Sequence, residues 1–156
     1  MNAHLELWNK LFDNFLVLSR TAVRRGGRLV LEWPTRCRYW KHPKVVALLG
    51  IPELGWSTAR VKACARGQRI TAGRHKGKAL TKMWRLMSTM DGLPDAMAAP
   101  VMGDHDHVTT GGSWTLRSGK YPIGFADAFH RYFRTVACNN KRSYAGCCID
   151  IPDATV

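Results

Sequence analysis

Leu5, Trp8, Leu11, Phe12, Phe15, Leu16, Ala22 and Val23, with the small Ser19 among them, recur at steps of three and four, while Asn9, Asp13, Arg20 and Arg24 fall to the other side. That period predicts an amphipathic helix over about residues 4–25, stopped by Gly26 and Gly27. Arg28 to Trp33 follows as a short, mostly apolar run ended by Pro34, the pattern of a buried strand. His42 to Leu49, with Pro43 in its first turn and Gly50 behind it, predicts a short helix. Ala59 to Ala65 alternates small or apolar residues with basic ones, which predicts a second strand. Arg66 to Lys78 spaces Gly67, Gly73 and Gly77 through basic residues and reads as a hairpin or flexible arm. Leu80 to Met87 reads as a strand, with a helix as the alternative, and Leu93 to Ala98 as a short helix. Residues 103–120 have the composition of a long loop or loose hairpin. Pro122 opens a last helix with an apolar stripe of Phe125, Ala128, Phe129, Tyr132, Phe133 and Val136.

Helix, strand, helix, strand and further short elements predict an α/β fold with a small, mostly parallel sheet and flanking helices. The chain has 156 residues, enough for about one domain with a real core. The expected organisation is a single α/β domain over 1–138 and a poorly ordered tail over 139–156, where no period is visible.

Charge changes the picture. Residues 35–85 carry 13 Lys and Arg against Glu53 alone, which is +12 of the chain's net +13. Clustering of this kind points to an anionic partner, DNA or RNA, more strongly than total charge does. The expected phosphate contacts are Arg60, Lys62, Arg66, Arg69, Arg74, Lys76, Lys78, Lys82 and Arg85, with Trp84 and Trp33 as stacking surfaces for single-stranded bases. No apolar stretch reaches the roughly 18 residues a bilayer span needs, so no membrane partner is expected. The five cysteines, odd in number and irregular in spacing, read as reduced thiols and make an intracellular location the expectation.

The run GGRLVLEWPTRCRYWKHPKVVALL, from Gly26 to Leu49, resembles a group of largely uncharacterised proteins found in protists and often joined to retrotransposon-type polyproteins. Cys64 with Gly67, the basic stretch through Lys82-Met83-Trp84-Arg85, His105 and His107, and Tyr121-Pro122 before the last helix agree in order. More distantly, a strand ending in Glu-Xaa-Pro, then a Cys-and-Gly strand and a basic segment, is similar to the second half of the doubly wound, Rossmann-like fold of DNA cytosine methyltransferases. The resemblance covers roughly residues 18–136 and implies a mobile-element association. It also implies that Glu32 marks the position that holds a target base; read from the residues themselves, Glu32, Trp33 and Pro34 at a strand's carboxyl end form a candidate base pocket, with Trp33 to stack on a planar ring and Pro34 to fix the turn. The chain departs from that family where the cofactor binds. No Gly-rich loop, ribose-binding acid or Pro-Cys nucleophile loop precedes Glu32, and Cys37 does not follow a proline. The expectation is therefore a nucleic-acid-binding domain, not catalytic alone and without a cofactor. The alternatives are a split methyltransferase-like protein that takes S-adenosylmethionine together with a second chain completing its sheet, and a basic assembly subunit of a larger particle.

Asp104-His105-Asp106-His107 is the one candidate metal sequence. His105 and His107, two apart, project to one face of a strand, and imidazole is a ready zinc ligand. Cys64 and His75 are further donors that the fold would have to deliver. No Cys-Xaa-Xaa-Cys or His-Glu-Xaa-Xaa-His spacing accompanies them, no Gly-Xaa-Ser-Xaa-Gly elbow supplies a hydrolase nucleophile, and the glycines of the basic arm form no phosphate loop.

Overall fold

The computed structural model describes residues 3–98, 103, 105–109 and 119–139. Asp104 and the expected tail beyond Asn139 lie outside the described residues.

The first helix, α1 (Ala3–Arg24), buries Phe12, Leu16, Ser19 and Val23. Its apolar surface is wider than the buried stripe, since Leu7, Leu11 and Leu18 remain 57%, 59% and 69% exposed. Gly26, at φ 75°, takes the left-handed conformation that ends the helix, and its N–H reaches Val23 O at 2.8 Å.

Three strands follow the predicted places: β1 (Val30–Pro34), β2 (Ser57–Lys62) and a later strand, β4 (Met83–Ser88). The sheet they form is antiparallel, in the order β1-β4-β2. The expectation of a mostly parallel sheet is corrected here, and the reason is specific. β1 and β2 run in the same direction, joined through α2 (Pro43–Leu49), as the strand–helix–strand alternation implies. The slot between them is taken by β4, which arrives after the basic arm and runs the other way. The parallel pairing that exists lies in a second, two-stranded sheet of β3 (Ala79–Thr81) and β5 (His107–Thr109), with Ala79 opposite His107.

The single strand expected over Leu80 to Met87 is two strands bent at Lys82. The Lys82 N–H turns back to Leu80 O at 2.9 Å, while its carbonyl accepts from Ala63 N–H at 2.9 Å and so extends the ladder with β2. This bend lets one chain segment serve both sheets.

Helices cover both faces of the three-stranded sheet. On one side Leu31 and Met87 join Phe12, Leu16, Val45, Leu48 and Trp40 under α1 and α2. On the other, Ala59, Val61, Trp84 and Leu86 pack with Leu93, Met97 and Phe125 from α3 (Leu93–Met97) and the last helix, α4 (Ile123–Asn139). α4 sits close to the turn after β2: a Cβ at Gly124 would lie 2.7 Å from Arg66 O. No helix among the described residues is long and apolar enough to cross a membrane.

Candidate functional site

Where the three-stranded sheet ends and the two-stranded sheet begins, the bend at Lys82 opens a cleft of about 1050 Å³. Its walls come from the end of β1 (Glu32, Pro34), the end of β2 and the turn behind it (Lys62, Cys64), both sides of the bend, β5 (His107) and Tyr121 before α4. Three cations, Arg36, Lys62 and Lys82, line it, and Glu32 is the one carboxylate among the lining residues.

Strand alternation decides what Glu32 can do. Glu32 lies opposite Leu86, on the face that α3 and α4 cover, whereas Trp33 lies opposite Arg85 on the other face. Trp33 therefore belongs to an aromatic cluster with Trp8, Phe12, Tyr39 and Trp40, in edge contact with Trp40 at 4.8 Å. The expected base pocket of Glu32 with Trp33 is corrected on that ground, since a period of two separates the pair. Pro34 stays beside Glu32 in the cleft wall, and its carbonyl accepts from Trp40 Nε1 at 3.0 Å. The partner that Glu32 does have is Tyr121, whose hydroxyl donates to Oε2. Oε1 is buried with no hydrogen-bond partner among the described residues. Burial pushes the Glu32 carboxyl from 4.5 up to about 7, and the positive charge of Lys82 only partly opposes that rise. Burial likewise lowers the Lys82 ammonium, with the Glu32 charge acting against it. Lys82 also places its Nζ 5.1 Å from the centre of the Trp84 ring.

The basic stretch divides by position. Lys62 and Lys82 line the cleft, and Arg36, from outside the stretch, joins them. Arg60 pairs in register with Arg85 on the sheet face toward α1, with the Arg85 guanidinium 4.7 Å from the Trp40 ring centre. Arg74, Lys76 and Lys78 are exposed on the arm. There Arg74 donates to His75 Nε2 at 2.9 Å and Lys78 pairs with Asp106 at 3.2 Å.

Arg66 and Arg69, expected as phosphate contacts, use their guanidinium groups to hold the chain together. Arg66 donates to Ala96 O at 3.1 Å and Ala98 O at 3.0 Å, capping α3, and Arg69 donates to Cys64 O at 3.0 Å and Gln68 O at 3.1 Å. Trp84 is corrected as a stacking platform: it is 1% exposed and enclosed by Tyr121 and Phe125.

Beside the cleft, the fold delivers Cys64 to the two histidines. One donor atom from each of Cys64, His105 and His107 lies within 4.8 Å of the others. The imidazole rings are 4.3 Å apart, although His105 precedes β5 and is not part of a strand, and His107 Nε2 is 3.4 Å from Cys64 Sγ. His75 does not join them, being engaged with Arg74 on the arm.

Sequence reasoning missed Arg36 and Tyr121 as cleft residues. Tyr121 had one signal, its place directly before Pro122 and the last helix, and Arg36 had none beyond its charge. No family model, curated protein or solved structure matches this chain.

Proposed function

We propose that the chain binds nucleic acid, taking the phosphate backbone of a single strand along the cleft and the cations beside it. The observation that carries this reading is the convergence of Arg36, Lys62 and Lys82, far apart in sequence, on one concave surface. Three cations around a cleft favour a polyanion. Glu32 and Tyr121 are two of the hydrogen-bonding groups that the cleft offers a base or sugar edge, beside Thr35, Thr81 and Thr109. With the Glu32 carboxyl pushed to about 7, both its protonated and ionised forms are available near neutrality, one a donor and the other an acceptor. Phosphate contacts give affinity and position, and sequence preference would have to come from the hydrogen-bonding side chains that line the cleft, Glu32 and Tyr121 among them.

The mobile-element association belongs to this same reading and rests on the resemblance of Gly26 to Leu49. So does the intracellular location, which the free thiols Cys37 and Cys64 support. The split methyltransferase reading loses its main support with the antiparallel sheet, because its base pocket and cofactor crevice both depend on the ends of parallel strands. A second role as an assembly subunit is favoured by one observation: Leu7, Leu11 and Leu18 form an exposed stripe along α1.

The test is fluorescence anisotropy of labelled single-stranded DNA, duplex DNA and RNA across a salt series. Wild type is compared with Arg36→Gln/Lys62→Gln in the cleft and Arg74→Gln/Lys76→Gln on the arm. The cleft variant is expected to lose about 0.7 of the log-log salt slope per phosphate contact removed on a single strand, and the arm variant less. Equal binding by the cleft variant and wild type would overturn the reading. Binding of S-adenosylmethionine would restore the methyltransferase alternative.

A further inference from the structure

We propose that Cys64, His105 and His107 form a binding site for a zinc-class divalent ion in the wall of the cleft. The inference stands on the geometry of these three side chains and is independent of nucleic-acid binding.

His105 Nδ1 lies 2.7 Å from Gly103 O. A carbonyl can only accept, so Nδ1 carries the ring proton, and Nε2 of the neutral ring is left with its lone pair. That Nε2 is buried and has no hydrogen-bond partner among the described residues. A backbone carbonyl on one ring nitrogen and a bare lone pair on the other is the arrangement that orients metal-binding histidines. Without an ion, the lone pair has been stripped of water for nothing.

The spacing of the donors fits a small tetrahedral ion. Zinc bonds of about 2.3 Å to sulfur and about 2.0–2.1 Å to nitrogen, at the tetrahedral angle, put the two donors about 3.6 Å apart. His107 Nε2 and Cys64 Sγ are 3.4 Å apart, and the three donor atoms together stay within 4.8 Å. A thiol–imidazole hydrogen bond alone would account for His107 and Cys64. It leaves His105 Nε2, the third donor, unexplained.

The chain builds this site from separated segments that are each held in place. Cys64 is 3% exposed, on a short 3-10 turn, and its own carbonyl accepts from both Gly67 N–H and the Arg69 guanidinium. His107 is fixed by pairing opposite Ala79, and the exposed Lys78–Asp106 ion pair ties the same two strands. One thiolate and two imidazoles suit zinc and disfavour magnesium or calcium, which prefer oxygen ligands. Three protein donors leave a fourth position for water or a substrate atom, and since Cys64 and His107 line the cleft, that ligand would arrive from the cleft.

The full-length chain, stripped with a chelator, is titrated with Zn²⁺ and separately with Co²⁺. Bound zinc is counted by elemental analysis, the sulfur-to-cobalt charge-transfer absorption is recorded, and thermal unfolding is followed with and without zinc. The expected result is one equivalent of zinc, a sulfur-to-cobalt band that Cys64→Ser abolishes, and affinity at least tenfold weaker in His105→Asn and in His107→Asn. Because Cys64 is buried and its variant is exposed to misfolding, the exposed His107→Asn carries the parallel test. Zinc should raise the unfolding temperature of wild type and not that of this variant, with circular dichroism checking that both are folded. Absence of zinc binding by the folded wild type would overturn the proposal. So would a cobalt–sulfur band that survives in folded Cys64→Ser, which would assign the ion to another thiol, or full zinc affinity in folded His107→Asn.

Discussion

Glu32→Gln should make the protein more stable above neutrality and leave it unchanged in mild acid. The unfolded chain ionises this carboxyl near its ordinary value of 4.5, whereas burial in the cleft holds it near 7 in the folded state. Below pH 4.5 both states are protonated and the site costs nothing. As pH rises from 4.5 toward 7, the unfolded chain gives up the proton and the folded chain keeps it, so stability falls with pH. Above 7 the cost is at its full value, because the folded protein must then carry an ionised carboxylate whose Oε1 has no partner among the described residues. The difference between 4.5 and 7 sets a ceiling of about 3 kcal/mol. Glu32 stands at the edge of an open cleft where water relaxes part of that cost, so the expected gain is about 1–3 kcal/mol. Glutamine keeps an oxygen for the Tyr121 hydroxyl and cannot ionise. Urea unfolding of both proteins at half-unit steps from pH 4.5 to 8.5 isolates the effect as a difference, which cancels the histidines common to both. The curves should coincide at the acid end and separate through pH 5–7, by about 2–10 °C if read as melting temperatures. A difference that does not vary with pH, or a wild type that gains on the variant as pH rises, would refute the reasoning.

Tyr121→Phe removes the one hydrogen bond donated to the Glu32 carboxylate, so the pH at which that separation is centred should move further up. The same urea series run on the Tyr121→Phe and Tyr121→Phe/Glu32→Gln pair reads it. Arg66→Gln should cost about 1–3 kcal/mol, because the carbonyls of Ala96 and Ala98 lose their donor. The salt slope of nucleic-acid binding, by anisotropy, should stay where it was. Gly124→Ala should cost about 1–3 kcal/mol by urea midpoint, since its Cβ would meet the backbone oxygen of Arg66, which has no flexible end to move.

Local periodicity made most elements legible, and long-range pairing stayed hidden. The first and last helices, the short helix after His42, and the strands at Val30 and Ser57 all lie within a few residues of where their patterns put them. The direction of the sheet was not legible, because nothing in Leu80 to Met87 says that it inserts between two earlier strands. The same blindness applies within the site. The two-residue spacing marked His105 and His107 as a pair, although His105 precedes β5, but the meeting with Cys64 depends on a turn whose Cys64 carbonyl accepts from Arg69. A run of nine cations reads as one feature in the sequence, yet Arg66 and Arg69 donate to carbonyls and Lys62 and Lys82 line a cleft.

Where the fold tolerates costly groups is itself informative. Ser19 Oγ on α1, and Arg66 Nε and Gln68 Oε1 at the turn after β2, are buried without hydrogen-bond partners among the described residues. The others of consequence gather at one place. Glu32 Oε1 lies in the cleft wall, Lys82 beside it has its ammonium disfavoured by burial, and His105 Nε2 is buried on a ring whose centre lies 4.3 Å from that of His107. A sequence under selection for stability alone has cheaper choices at each position, since glutamine, methionine or leucine would fill the same space without the desolvation cost. Local rules broken together at a single concave surface are the usual mark of a site kept for what it binds. The two proposals divide that surface between them, the cations and Glu32 facing a phosphate backbone and the Cys/His trio facing an ion. Removing the cations should leave zinc affinity intact, and removing His107 should leave the salt slope intact. If either substitution abolished both properties in a folded protein, the cleft would have to be treated as one site in which the ion itself contacts the bound strand.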